Sequence, residues 1–253
     1  MDKFIDVLAG CTTLLEEVDQ FLEYGDESFM KSRQEGEHLL HSCLFLEEKL
    51  HNICVEMQAK LGVPSPLPRN AGSLKEFRAF IPKDFFSVPL QSPSLSCAES
   101  HILYCTTLIL LYPLIGQLFD FLGASETHTA PTSECYPFIE PGPRTENTTT
   151  TYLQNKTDFL ALTDAYATEV CRSAAYCLQS NMKALGGQML LAPLSQCTQF
   201  FQVQQSVEKT RWCQATFTIL PQLGFGIGPF LKNMVWPQYQ AAQKRSAYAV
   251  DSI

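Results

Sequence analysis

The chain has 253 residues, 45% of them hydrophobic and 17% charged, which is globular composition and excludes a disordered or fibrous chain. Eighteen Lys and Arg against 26 Asp and Glu give a net charge of -8, which argues against a bare nucleic-acid binder, since affinity for phosphates comes from Lys and Arg. The excess is local: residues 1–61 hold 13 acids and 5 bases, and residues 62–253 hold 13 of each. An acidic surface there repels nucleic acid and anionic membrane; it reads as a solvated helical face or a docking face for a basic partner.

In chain order, Phe4, Val7, Leu8, Cys11, Leu14, Leu15, Val18, Phe21 and Leu22 recur at steps of three and one, predicting a helix over 4–22 that stops near Gly25. A second stripe, from Leu39 to Leu61, predicts a helix over about 30–61 ending before Gly62 and Pro64. Two such stripes joined by a short break predict an acidic antiparallel hairpin over 1–61, broader in its apolar face than a strict coiled-coil seam. Residues 62–98 hold six prolines and read as a wrapping connection with one short helix near 73–81.

Residues 99–122 are the most apolar segment, with Leu108-Ile109-Leu110-Leu111-Tyr112 at its centre. Its length suits a membrane span. Thr106, Thr107, Gln117, Asp120, the internal Pro113 and the lack of basic flanks favour a buried central helix, so no membrane association is expected. Residues 123–152 are poor in apolar groups and rich in Thr and Pro, a surface loop. Helices return over 153–245: one at 153–182, one near 186–206 with Pro193 in its first turns, one at 207–222, and a short one after the glycines at 224, 226 and 228. No alternating strands occur. The expectation is a single all-α domain, a multi-helix array of about seven to nine helices with long irregular connections.

Little catalytic chemistry is legible. No G-x-S-x-G elbow, Walker loop or H-E-x-x-H motif occurs, and Gly224-Phe225-Gly226-Ile227-Gly228 follows a predicted helix rather than a strand, so it reads as a packing bend. His38 and His41, beside Glu35 and Glu37, are the nearest approach to a metal cluster, without an evident third ligand. The ten cysteines show no C-x-x-C spacing; Cys171 and Cys177, six apart, fall on different helix faces and should not pair. A Cys–His dyad has no local signature. No catalytic, cofactor-binding or metal residue is therefore assigned, and no cofactor is expected. The first residues lack a signal peptide's basic start and apolar run, so free thiols in a reducing intracellular compartment, nuclear or cytoplasmic, are expected. The sequons at Asn147 and Asn155 then read as chance in a Thr-rich stretch.

One ordered set of features is less generic. The string Asp164-Ala165-Tyr166-Ala167-Thr168-Glu169-Val170-Cys171-Arg172-Ser173-Ala174-Ala175-Tyr176-Cys177-Leu178-Gln179 resembles a helix in the regulatory region of fungal zinc binuclear cluster transcription factors, where an A-x-x-I-C-R-S-x-x-Y-C-L type string recurs. Gly186-Gly187 and Leu191-Ala192-Pro193-Leu194 look like that family's glycine turn and following helix start. Phe200-Phe201, Arg211-Trp212-Cys213 and Leu223-Gly224-Phe225-Gly226 are similar to later features, and Ala98–Leu122 and 37–61 to earlier helices; together these span about 150 residues. The family's six-cysteine DNA-binding cluster has no counterpart in these residues. The resemblance implies a regulator without its own DNA-binding module, working through a protein partner such as a DNA-binding regulator, or through a small effector, on a gene set such as a secondary-metabolite pathway. The apolar helices near 99–122 and 186–220 would then line an effector pocket or simply form the core. The alternative is a helical enzyme or accessory protein of a biosynthetic pathway.

Overall fold

The structure is a computed structural model that describes residues 2–24, 29–67, 86, 88–123, 128–129, 152–153 and 156–234. Gly25, the short helix expected near 73–81, most of the Thr/Pro loop with Cys135 and both sequons, and the chain beyond Met234 lie outside the described residues.

The fold is all-α. Among the described residues there are seven α-helices: α1 Asp2–Tyr24, α2 Phe29–Leu61, α3 Leu95–Leu122, α4 Lys156–Cys177, α5 Lys183–Val203, α6 Val207–Phe217 and α7 Gly228–Asn233. Single 3-10 turns cover Ser180–Met182 and Leu220–Leu223. Among the described residues, strand is confined to two antiparallel ladders of two residues a side: β1 Ser65–Pro66 with β2 Leu90–Gln91, and β3 His128–Thr129 with β4 Tyr152–Leu153.

The chain divides into two compact units, each drawn from separate stretches: Met1–Lys60 with Thr107–Tyr166, and Leu61–Thr106 with Ala167–Ile253. In the first, α1 and α2 form the expected antiparallel hairpin. Lys3 Nζ meets Glu56 Oε2 at 2.9 Å, Gly10 faces Leu46, and Phe21 packs on Gly36, so the register runs in opposite directions along the two helices. On α1 the buried positions are narrower than the sequence stripe implies: Phe4, Val7, Cys11, Leu14, Val18 and Phe21 alternate in steps of three and four, with Leu8, Leu15 and Leu22 only half-buried beside them. On α2 Leu39, His51 and Ile53 are buried beside Leu40, Cys43, Glu47, Leu50 and Cys54, so that face is broader than a strict seam, as its stripe predicts.

The same unit contains the C-terminal half of α3. Gly116 lets the start of α4 approach, since a Cβ there would lie 3.2 Å from Lys156 Cα. Tyr112 is fully buried, donates to Glu47 Oε1 at 2.9 Å, and stacks obliquely with Phe159 and Tyr166 at centroid distances of 5.9 and 5.7 Å. Helix α3 is long and apolar enough to cross a membrane, and 83% of its most apolar window is buried within the protein. It starts at Leu95, four residues before the expected 99, because Ser94 caps it: Ser94 Oγ accepts from the Cys97 N–H at 3.1 Å.

In the second unit two proline and glycine readings change. Helix α5 begins at Lys183, so Pro193 sits mid-helix rather than in the first turns. Gly186 and Gly187 belong to that helix and form no turn. The glycine at 186 serves close packing instead: a Cβ there would fall 1.9 Å from the Cys177 carbonyl oxygen. Gly224 does make a bend, with φ +93, and ends the 3-10 turn by donating to Pro221 O at 3.0 Å. Trp212 is buried edge-on against Phe86, with centroids 4.8 Å apart.

Candidate functional site

The densest polar chemistry lies in the second unit, between the N-terminal half of α3 and the C-terminal half of α4. His101 and Cys105 are four apart on α3 and share a face; Glu169 and Arg172 are three apart on α4 and share another. Arg172 Nη1 makes a short hydrogen bond to Glu169 Oε1, and its Nε donates to the Val88 carbonyl at 2.6 Å. His101 Nε2 lies 3.8 Å from Glu169 Oε2 and 3.8 Å from Cys105 Sγ. Ser173 Oγ donates to the Glu169 carbonyl within α4, and Gln179 Nε2, two residues past the end of α4, reaches Gln91 Oε1 at 3.3 Å, so the extended 88–91 segment is held by Arg172 on α4 and by Gln179 just beyond it.

The His101–Glu169 contact looks like an ion pair, but the histidine is neutral at pH 7. Burial, followed by the Arg172 charge, holds its pKa down to about 4. Arg172 already compensates the Glu169 carboxylate, leaving little net negative charge to raise the imidazole. The cluster is therefore one buried Arg–carboxylate pair with a neutral imidazole beside it.

Thiol, imidazole and carboxylate together invite comparison with a nucleophile–base–orienter relay. Such a relay needs one ring nitrogen toward the thiol and the other toward the carboxylate. Here the same nitrogen, Nε2, faces both, and Cys105 is 1% exposed. The arrangement fixes the 88–91 segment to α4 more readily than it activates a thiol. This is also the Cys–His proximity that the sequence left without a signature. Its two residues are four apart on α3, one turn of the same helix; the Glu169 and Arg172 side chains of α4 join them only through folding.

A second cluster is a row of thiols. Cys171 Sγ on α4 lies 3.7 Å from Cys213 Sγ on α6, and Cys197 Sγ on α5 donates to the Ala167 carbonyl at 3.6 Å. Burial, with hydrogen bonds to Cys197 and Cys213, pushes the Cys171 thiol well above its ordinary value. All nine described cysteines are buried thiols. Cys171 and Cys177 do not pair, as their helical spacing predicts; Cys177 is buried with its own thiol pushed up to about 12.

His38 and His41 are exposed on α2, where Glu37 is engaged by Arg33 Nε at 3.1 Å. No group of three or more His, Cys, Asp or Glu among the described residues is arranged to hold a metal ion. The effector-lining residues expected on α5 and α6, among them Leu190, Leu194, Phe200, Phe201 and Phe217, are buried in the core of the second unit. No protein-family model, curated protein or solved structure matches the chain.

Proposed function

We propose that this chain is a transcription-regulator-like helical module. It would act through a protein partner, with a DNA-binding regulator as the expected class, or through a small effector, and tune a gene set such as a secondary-metabolite pathway. The observation that carries the reading is the use made of the 167–178 string. Ala167, Glu169, Val170, Cys171 and all of Ser173 through Cys177 are buried, and Arg172, paired with Glu169, anchors the 88–91 segment through the Val88 carbonyl. A string whose order resembles a regulatory domain is thus employed as scaffold, which suits a shared architecture better than a set of reacting groups. The exposed acids of α1, Asp6, Glu16, Glu17 and Glu23, favour contact with a basic protein surface over contact with nucleic acid. A nuclear or cytoplasmic location and no membrane association go with the same reading.

The direct test tethers the full chain to a heterologous DNA-binding domain upstream of a reporter in the chain's own host. Reporter output raised or lowered relative to the DNA-binding domain alone is expected. Unchanged output at equal protein level contradicts the proposal.

A further inference from the structure

The thiol row carries an inference independent of the regulatory reading. Cys171 and Cys213 are 42 positions apart in sequence, on different helices, yet their sulfurs are in van der Waals contact at 3.7 Å. Both are at most 1% exposed, and Cys171 lies between Cys213 and Cys197. We propose that Cys171 and Cys213 are a redox-sensitive pair that closes to a disulfide and ties α4 to α6.

While packed, the pair is protected: both sulfurs belong to residues at most 1% exposed, out of reach of an oxidant, and burial holds the Cys171 thiol well above its ordinary value. Helix α6 is the element whose opening exposes it. It has 11 residues, its N-cap Ser206 makes no side-chain capping bond, and Val207, Glu208 and Arg211 face solvent. Short helices without a cap open locally at lower cost than the core around them. Once α6 lifts, the Cys213 thiolate displaces hydroxide from a peroxide, breaking the O–O bond and forming a sulfenic acid. The Cys171 sulfur then attacks the Cys213 sulfur; the S–S bond forms, the S–O bond breaks, and water leaves. Two thiols and one hydrogen peroxide give one disulfide and two waters, with sulfur oxidised and peroxide oxygen reduced. When α6 returns to its packed position the two sulfurs stand 3.7 Å apart, so the disulfide forms with both helices in their native arrangement.

The test treats the folded, reduced full chain with hydrogen peroxide, alkylates the remaining thiols and maps peptides by mass spectrometry. A Cys171–Cys213 cross-link that thiol reductant reverses is expected, with a melting temperature several degrees above that of the reduced chain. Cys197→Ala should retain the link and Cys213→Ala should lose it, each variant first verified as folded by its thermal melt. Recovery of Cys171 and Cys213 as alkylated free thiols, at a dose that oxidises the denatured chain, overturns the proposal. So does a Cys171–Cys197 link in place of the expected one.

Discussion

Acidification should destabilise the fold through His101, by an amount the structure allows to be worked out. The imidazole has a pKa of about 4 in the folded chain against an ordinary 6.5, because it is buried beside Arg172. The folded state therefore binds fewer protons than the unfolded state wherever the pH lies between those values. Stability is full above pH 6.5 and falls as the pH drops toward 4, by about 1.4 kcal/mol per pH unit at most. Across the whole window the loss amounts to about 3 kcal/mol, a large part of a typical domain's stability. Urea unfolding at a series of pH values measures this directly, provided the slope with denaturant stays constant. Other carboxylates also titrate near the lower end, so the informative quantity is the difference between the native chain and His101→Gln. That variant keeps a polar side chain of similar reach but cannot take up the proton. The two stabilities should converge, or cross, as pH falls from 6.5 to 4. Parallel pH curves would refute the assignment of a neutral, buried imidazole.

Four further outcomes follow from particular contacts. Arg172→Met should cost about 3–5 kcal/mol by leaving the buried Glu169 carboxylate uncompensated, and adding Glu169→Gln should recover much of that loss in a denaturation-based double-mutant cycle. Gly186→Ala should lower the melting temperature sharply, since its Cβ meets the Cys177 carbonyl, whereas Gly226→Ala, with open space around it, should leave it nearly unchanged. Leu50→Ala in the hairpin seam should cost about 2–5 kcal/mol in urea unfolding, with Phe45→Ala, mostly exposed on the same helix, close to neutral. Tyr112→Phe should cost about 1–3 kcal/mol by removing the hydroxyl that donates to the buried Glu47.

Helical periodicity made most of the architecture legible. The register of Phe4 through Phe21, and of Leu40 through Cys54, was visible as recurring apolar steps because burial against one neighbouring helix selects one face. The narrowness of the α1 seam is not visible in sequence: Leu8 and Leu15 are as apolar as Leu14, and only the position of the neighbouring helix decides which is covered. Pro193 misled because proline usually marks a helix start, whereas tertiary packing holds it mid-helix in α5. Gly186 misled similarly, since its function is a close approach to Cys177, sensed by a carbonyl that no local pattern reveals. The polar cluster was half legible. The pairs His101–Cys105 and Glu169–Arg172 have helical spacings that show each face, but the pairing between helices is a non-local contact. The same holds for Cys171 and Cys213, whose proximity depends on how α6 returns to α4.

The proposed regulatory role is tested most directly by the transcriptome of a deletion strain, read beside its metabolite profile. A coordinated rise or fall in the transcripts of one gene set, restored by the native chain, is the predicted result. Unchanged transcripts with one accumulating intermediate would contradict the account and point to a helical enzyme or accessory protein instead.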